Sequence, residues 1–211
     1  MFLVAVAVAL ALQLGSASAR AAESGDPVGG APASYRFEAV DTSGRPAHWD
    51  YCTPITYYVN PDLLPPGAET DIDEAFARLS AATGLQFIYA GTTKAIPFAD
   101  GRSIPSDVPN SITVAWADEV MSPVLAGSVV AHGGLNYVFT DRGWRATNGA
   151  VVVDTEFALA AGFEGGASRG AVLLHELGHV MNLGHVDDPS QLMTSGVIST
   201  DGAFRPATRL A

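Results

Sequence analysis

The chain has 211 residues, 48% of them hydrophobic and 16% charged, which fits one domain with a sizeable core and excludes wholesale disorder. With 22 acidic against 11 basic side chains the net charge is −11, a balance that disfavours nucleic acid and anionic membrane surfaces as partners. Its single cysteine, Cys52, excludes an internal disulfide, so any staple must be of another kind, such as a metal.

Residues 1–19, MFLVAVAVALALQLGSASA, run almost unbroken in apolar residues from Phe2 to Leu14 and end in Ala17-Ser18-Ala19. This pattern predicts a secretory signal peptide cleaved before Arg20, although no Lys or Arg follows Met1. The run is shorter than the roughly 20 residues a bilayer crossing needs. The mature protein is therefore expected to be secreted and extracellular, with no membrane attachment. Residues 20–34 are small, polar and rich in Gly and Pro, and read as a linker. We assign 20–50 to a flexible N-terminal segment and 51–211 to a single catalytic-type domain, with the first ordered residues expected near Tyr35-Arg36-Phe37.

ITYYV (55–59) reads as a strand closed by Asn60-Pro61. Ile72, Ala75, Phe76 and Leu79 then recur at helical spacing, and that helix is expected to stop near Gly84. LQFIYA (85–90) and SITVAWA (111–117) read as strands, with two short ones near 128–131 and 150–154. A second helix is predicted from Ser168 as N-cap, with Leu173, Leu177 and Val180 on one face and His175 and His179 on another. This order predicts an α+β or α/β layer, a twisted sheet with one long backing helix and a second helix below.

The stretch HELGHVMNLGH (175–185) places three of the five histidines within eleven residues. Residues four apart on a helix lie one above the other, so His175 and His179 can aim at one ion while Glu176 leans toward its open side. Zinc takes such nitrogen ligands at about 2.0–2.1 Å, and a catalytic zinc keeps one position for water. His185 can join only if the chain turns back, and Asn182 and Gly184 are the residue types that most easily leave a helix in a left-handed conformation. His48 and His132 read as ordinary solvated or hydrogen-bonded side chains.

HELGHVMNLGH resembles the metzincin zinc-peptidase signature HExxHxxGxxH, and the following HVDDPSQLM is similar to its matrixin branch. WDYCTPITYYVNP and AFARLSAATGLQFIYAGTT resemble the first strand and helix of small secreted bacterial matrixin-like proteins. The resemblance implies a metzincin-like α+β fold with an active-site helix and a Met-turn below the metal. It implies one catalytic Zn2+ held by His175, His179 and His185. Glu176 would be the general base, taking a proton from the attacking water and passing it to the leaving amine, and Met193 would be the Met-turn residue.

Three departures stand against the pattern. Asn182 replaces a glycine, and as the next best residue for a left-handed turn it implies weakened but workable geometry; Thr194 follows the Met where an aromatic residue is common; and RPATRLA (205–211) would be only the remnant of a C-terminal helix. VVAHGG around His132 is similar to one ligand position of the family's structural zinc, but its companion ligands have no counterparts, so neither that site nor a calcium site is predicted. Cys52 could hold the enzyme latent by ligating the zinc, although the family's PRCGxPD context is absent.

The leading expectation is a monomeric, secreted zinc-dependent endopeptidase acting on a protein or peptide substrate, held extended along an edge strand near 128–131. The alternative is a non-catalytic secreted domain that keeps zinc for stability or binding. A hydrolase acting on a non-peptide-chain amide, such as a cell-wall stem peptide, would share the site.

Overall fold

The computed structural model describes residues 35–195. The expected signal peptide (1–19), the 20–34 stretch read as a linker and RPATRLA (205–211) lie outside the described residues. The chain runs β1 (Arg36–Phe37), β2 (Ile55–Val59), α1 (Ala68–Thr83), β3 (Phe87–Thr92), β4 (Ser111–Ala117), β5 (Ala131–Thr140), β6 (Gly143–Asp154), α2 (Arg169–Val180) and β7 (Leu183–Gly184). The fold is mixed α+β. Five strands form a mixed sheet in the order β3-β2-β4-β6-β5, parallel except for β5, which pairs antiparallel with β6 and forms one edge.

Burial explains the layering. Every residue of β4 is buried, as expected of a central parallel strand covered on both faces. Along β6 the period of two splits the core. Val151 and Val153 join Ile55, Ile72, Phe76, Leu173 and Leu177 on the helix side, whereas Ala150 and Val152 join Phe98, Ile104 and Leu125 on the other. Both helices share the first cluster, with Tyr57 stacked on Phe76 at 3.9 Å between ring centroids. Helix α1 stops where expected, because Gly84 takes the left-handed φ of 74° and caps Ser80. Ser168 does occupy the N-cap of α2, but its hydroxyl makes no capping bond. The start of α2 is instead tied to α1 by the buried Arg169–Asp71 pair at 2.6 Å.

Two expectations need correction. The short strands at 128–131 and 150–154 are ends of one long hairpin, β5–β6, whose interior is rich in Gly and Asn. Its glycines are there for close approach: a methyl group on Gly149 would lie 2.4 Å from Val180 Cγ1, and one on Gly133 2.4 Å from the Glu176 carbonyl oxygen. The domain also begins earlier than residue 51. Residues 35–50 form a strap fastened at both ends, by β1 pairing with β7 and by His48 joining β6 at Arg145. Trp49 lies in the main core, and its indole N–H donates to the Val180 carbonyl at 2.8 Å.

Candidate metal centre and active-site cleft

All twelve residues of α2 are buried, so its histidines face a cleft within the fold rather than open solvent. The helix ends at Val180, and Asn182 then adopts a left-handed φ of 69°. That single turn sends the chain back through β7 and delivers His185 beside the other two histidines. His175 Nε2 lies 3.1 Å from His185 Nε2, and His179 Nε2 lies 3.2 Å from the same atom. Among the described residues this trio is the one group of three such side chains able to hold a metal.

The far sides of the rings explain why the Nε2 atoms are free. His175 Nδ1–H donates to the Leu192 carbonyl at 2.7 Å, and His179 Nδ1–H to the Leu183 carbonyl at 2.8 Å. Each bond fixes the tautomer that leaves Nε2 with a lone pair. His185 Nε2 lies within 3.1–3.2 Å of both of these lone pairs, so with His185 in the same tautomer the three nitrogens form a donor set for one cation. Nitrogen ligands at about 2.0–2.1 Å around a tetrahedral ion sit roughly 3.3–3.4 Å apart, so the donor set fits zinc. Burial pushes His175 down to about 4, only partly countered by its bond to Leu192, and burial also lowers His185. His179 is different: burial would lower it, but Glu38 and Glu176 together raise it.

Glu176 sits on the same helix with its carboxyl in the cleft. Burial pushes it up to about 7, against the opposing pull of His179 and of the Gly133 N–H. Beneath the histidines, the chain after His185 loops back so that Val186 N–H donates to the Met193 carbonyl at 2.9 Å. Met193 is buried and lies flat on the helix at Gly178, where a methyl group would come within 2.3 Å of its sulfur. Thr194 is buried beside it.

The cleft has a volume of about 540 Å³ and runs along the edge of β5 from Ala131 to Tyr137, with Phe98, Arg102 and Ile104 also lining it. His132 lines it, packed edge-on against Phe98 at 4.8 Å. His48 lies elsewhere, stacked on Tyr51. Cys52 is not brought to the site: it is exposed in the turn before β2, with its N–H bonded to Asp50.

Sequence reasoning missed Glu38 and misjudged Asn182. Glu38 Oε1 lies 3.0 Å from His179 Nδ1, although 141 residues separate them in the chain. Asn182 is fully buried and is no weakened glycine. Its Oδ1 accepts from the Ala39 N–H at 2.8 Å, and its Nδ2 donates to the Ala39 and Ala47 carbonyls at 2.8 and 3.0 Å. These three bonds latch the strap to the end of α2 and offset the cost of a left-handed non-glycine residue. Asn182→Gly, which keeps the turn but loses the latch, is expected to cost about 2 kcal/mol, and Asn182→Ala about 3–4 kcal/mol. Denaturant unfolding in chelator checks both, and a glycine variant as stable as the parent would contradict the latch.

No family model matches the chain, and no curated protein matches it. Among solved structures it is similar to high choriolytic enzyme 1, a hatching enzyme zinc-protease from the medaka fish Oryzias latipes, with 14% identity and a TM-score of 0.37. The match covers 71% of this chain and 55% of that one, so the chain spans little more than half that enzyme's length. The overlap is loose, and the functional reading below rests on the site's own geometry.

Proposed function

We propose that the chain is a secreted zinc-dependent endopeptidase of the matrixin-like metzincin kind. The observation that carries this reading is the convergence of three imidazole Nε2 atoms beside a buried carboxyl, next to a sheet edge on which no further strand pairs among the described residues. His175, His179 and His185 would hold the ion. Zinc in that position supplies a Lewis acid that polarises a scissile carbonyl and makes water acidic enough to attack near neutral pH.

The remaining roles fall to the chain itself. Glu176 accepts the proton of the attacking water and gives it to the leaving amine, and a buried carboxyl with a raised pKa suits both halves of that transfer. The free edge of β5 offers N–H and C=O groups that bind an extended peptide as an added strand. That edge is 131–140 rather than the 128–131 expected from sequence. Met193, packed on Gly178, would take the Met-turn role and supply an apolar side chain near the metal's ligands.

The test is zinc content together with cleavage of a quenched-peptide mixture by the purified protein. One zinc per chain and cleavage abolished by chelator are expected. Zinc without cleavage of any peptide, cell-wall stem peptides included, would move the chain to a zinc-containing binding domain. Absence of zinc would end the reading.

A further inference from the structure

We propose that Glu38 is a positioning residue for the metal ligand His179, carried to the centre by the N-terminal strap. This rests on the zinc-peptidase reading above.

The two helical ligands are not supported alike. His175 Nδ1 has a backbone carbonyl, that of Leu192, as its partner. His179 Nδ1–H donates to the Leu183 carbonyl at 2.8 Å and also has the Glu38 carboxylate beside it at 3.0 Å, an ionic contact that His175 lacks among the described residues. An anionic acceptor behind a ligating imidazole holds the ring in its coordinating orientation and makes the opposite nitrogen a better donor. A carbonyl does the first and little of the second.

The placement of Glu38 is built rather than incidental. Its backbone N–H donates to the Asn182 carbonyl at 3.1 Å, and the neighbouring Ala39 is held by the Asn182 side chain. Its stem lies on the backbone of β7, so close that a methyl group on Gly184 would come within 3.3 Å of Glu38 Cγ. Half of the side chain remains exposed to the cleft, so its loss opens no cavity in the core. Asn182 therefore has a second purpose beyond turning the chain: it fixes the strap that brings the carboxylate to His179.

The experiment measures zinc affinity by competition with a chromophoric chelator near pH 7.5, using the full chain, Glu38→Gln and Glu38→Ala. Cobalt(II) substitution of the same three proteins reports ligand geometry. Melting temperature in excess chelator serves as the control for folding. Removal of an outer-shell partner weakens metal binding about 10- to 100-fold, so Glu38→Ala is expected to lose affinity in that range. Glu38→Gln, which keeps an acceptor but not the charge, should fall between. The cobalt spectrum is expected to change in the alanine variant while the chelated proteins melt within a few degrees of one another. Zinc affinity in Glu38→Ala within twofold of the parent would overturn the proposal, with the peptidase reading left standing. If Glu38→Ala folds poorly, an unchanged affinity in a well-folded Glu38→Gln overturns it equally. A parent protein that binds no zinc would sink both.

Discussion

Glu176→Gln is expected to keep one zinc per chain and to lose peptide turnover by about three orders of magnitude or more, a barrier increase of about 4 kcal/mol. The glutamine fills the same space and leaves the three histidines untouched, but it cannot accept a proton. Metal analysis and initial rates on one protein sample decide the point; equal rates for the two forms would remove Glu176 from the chemistry.

The same substitution carries a second signature in chelator. Glu176 has a folded pKa near 7 against an unfolded value of 4.5, so the folded state holds a proton that the unfolded state has released between those values. Stability contributed by that proton is present below about pH 4.5 and is lost as pH rises through 7. Above pH 7 the buried carboxylate costs up to about 3 kcal/mol, and glutamine does not bear that cost. Metal-free Glu176→Gln should therefore melt higher than the metal-free parent at pH 8, with the difference shrinking toward pH 5. A pH-independent difference would show that Glu176 is better solvated than its position implies.

Among the described glycines outside the helices, Gly133 is the one where an added methyl group, as in Gly133→Ala, is expected to do the most damage. It would lie 2.4 Å from the Glu176 carbonyl oxygen and 2.9 Å from its carbonyl carbon, both backbone atoms that no rotamer change can move aside. Either β5 or α2 must retreat, at a cost of about 3 kcal/mol or more, lowering the melting temperature by roughly 6–12 °C. The retreat also moves the cleft wall away from Glu176, so turnover should fall with zinc retained. The adjacent glycine supplies the control: a methyl group on Gly134 meets only Phe98 and Ile104 side chains at 3.8–4.0 Å. Gly134→Ala should be close to neutral, and equal effects at 133 and 134 would count against the close approach of strand to helix.

These cases show what was legible in the sequence. Patterns confined to one element read well. SITVAWA matches β4 residue for residue, the 72–79 periodicity marks α1, and the spacing within 175–185 anticipates the histidine trio because helix geometry and one turn fix it. Strand β5–β6 was hidden because Gly133, Gly134, Asn136, Asn148 and Gly149 have the composition of loops. Gly133 and Gly149 are glycines because α2 presses against the sheet there, a tertiary demand with no local signature. Glu38 was invisible for the same reason. Nothing in SYRFEAVDTS announces that its glutamate ends beside a histidine 141 residues later, and the local small-residue run before it suggested a mobile arm. For Asn182 the sequence shows only the aptitude for a left-handed turn, not the three partners awaiting its side chain.

The latch between Asn182 and residues 39–47 has a consequence for the order in which the molecule is made. The contact closes a loop of 143 residues, the kind of pairing that pays its entropy before it returns any stability. The strap leaves the ribosome well before the helix end that it clasps, because α1, α2 and the whole five-stranded sheet lie between them in the chain. A partly synthesised or partly threaded chain can build β2, α1, β3 and β4, but it cannot complete the support behind His179. The support behind His179 is thus complete only once the chain from the strap to His185 has been made, and on the proposed reading the site stays unfinished while its own chain is still unfolded.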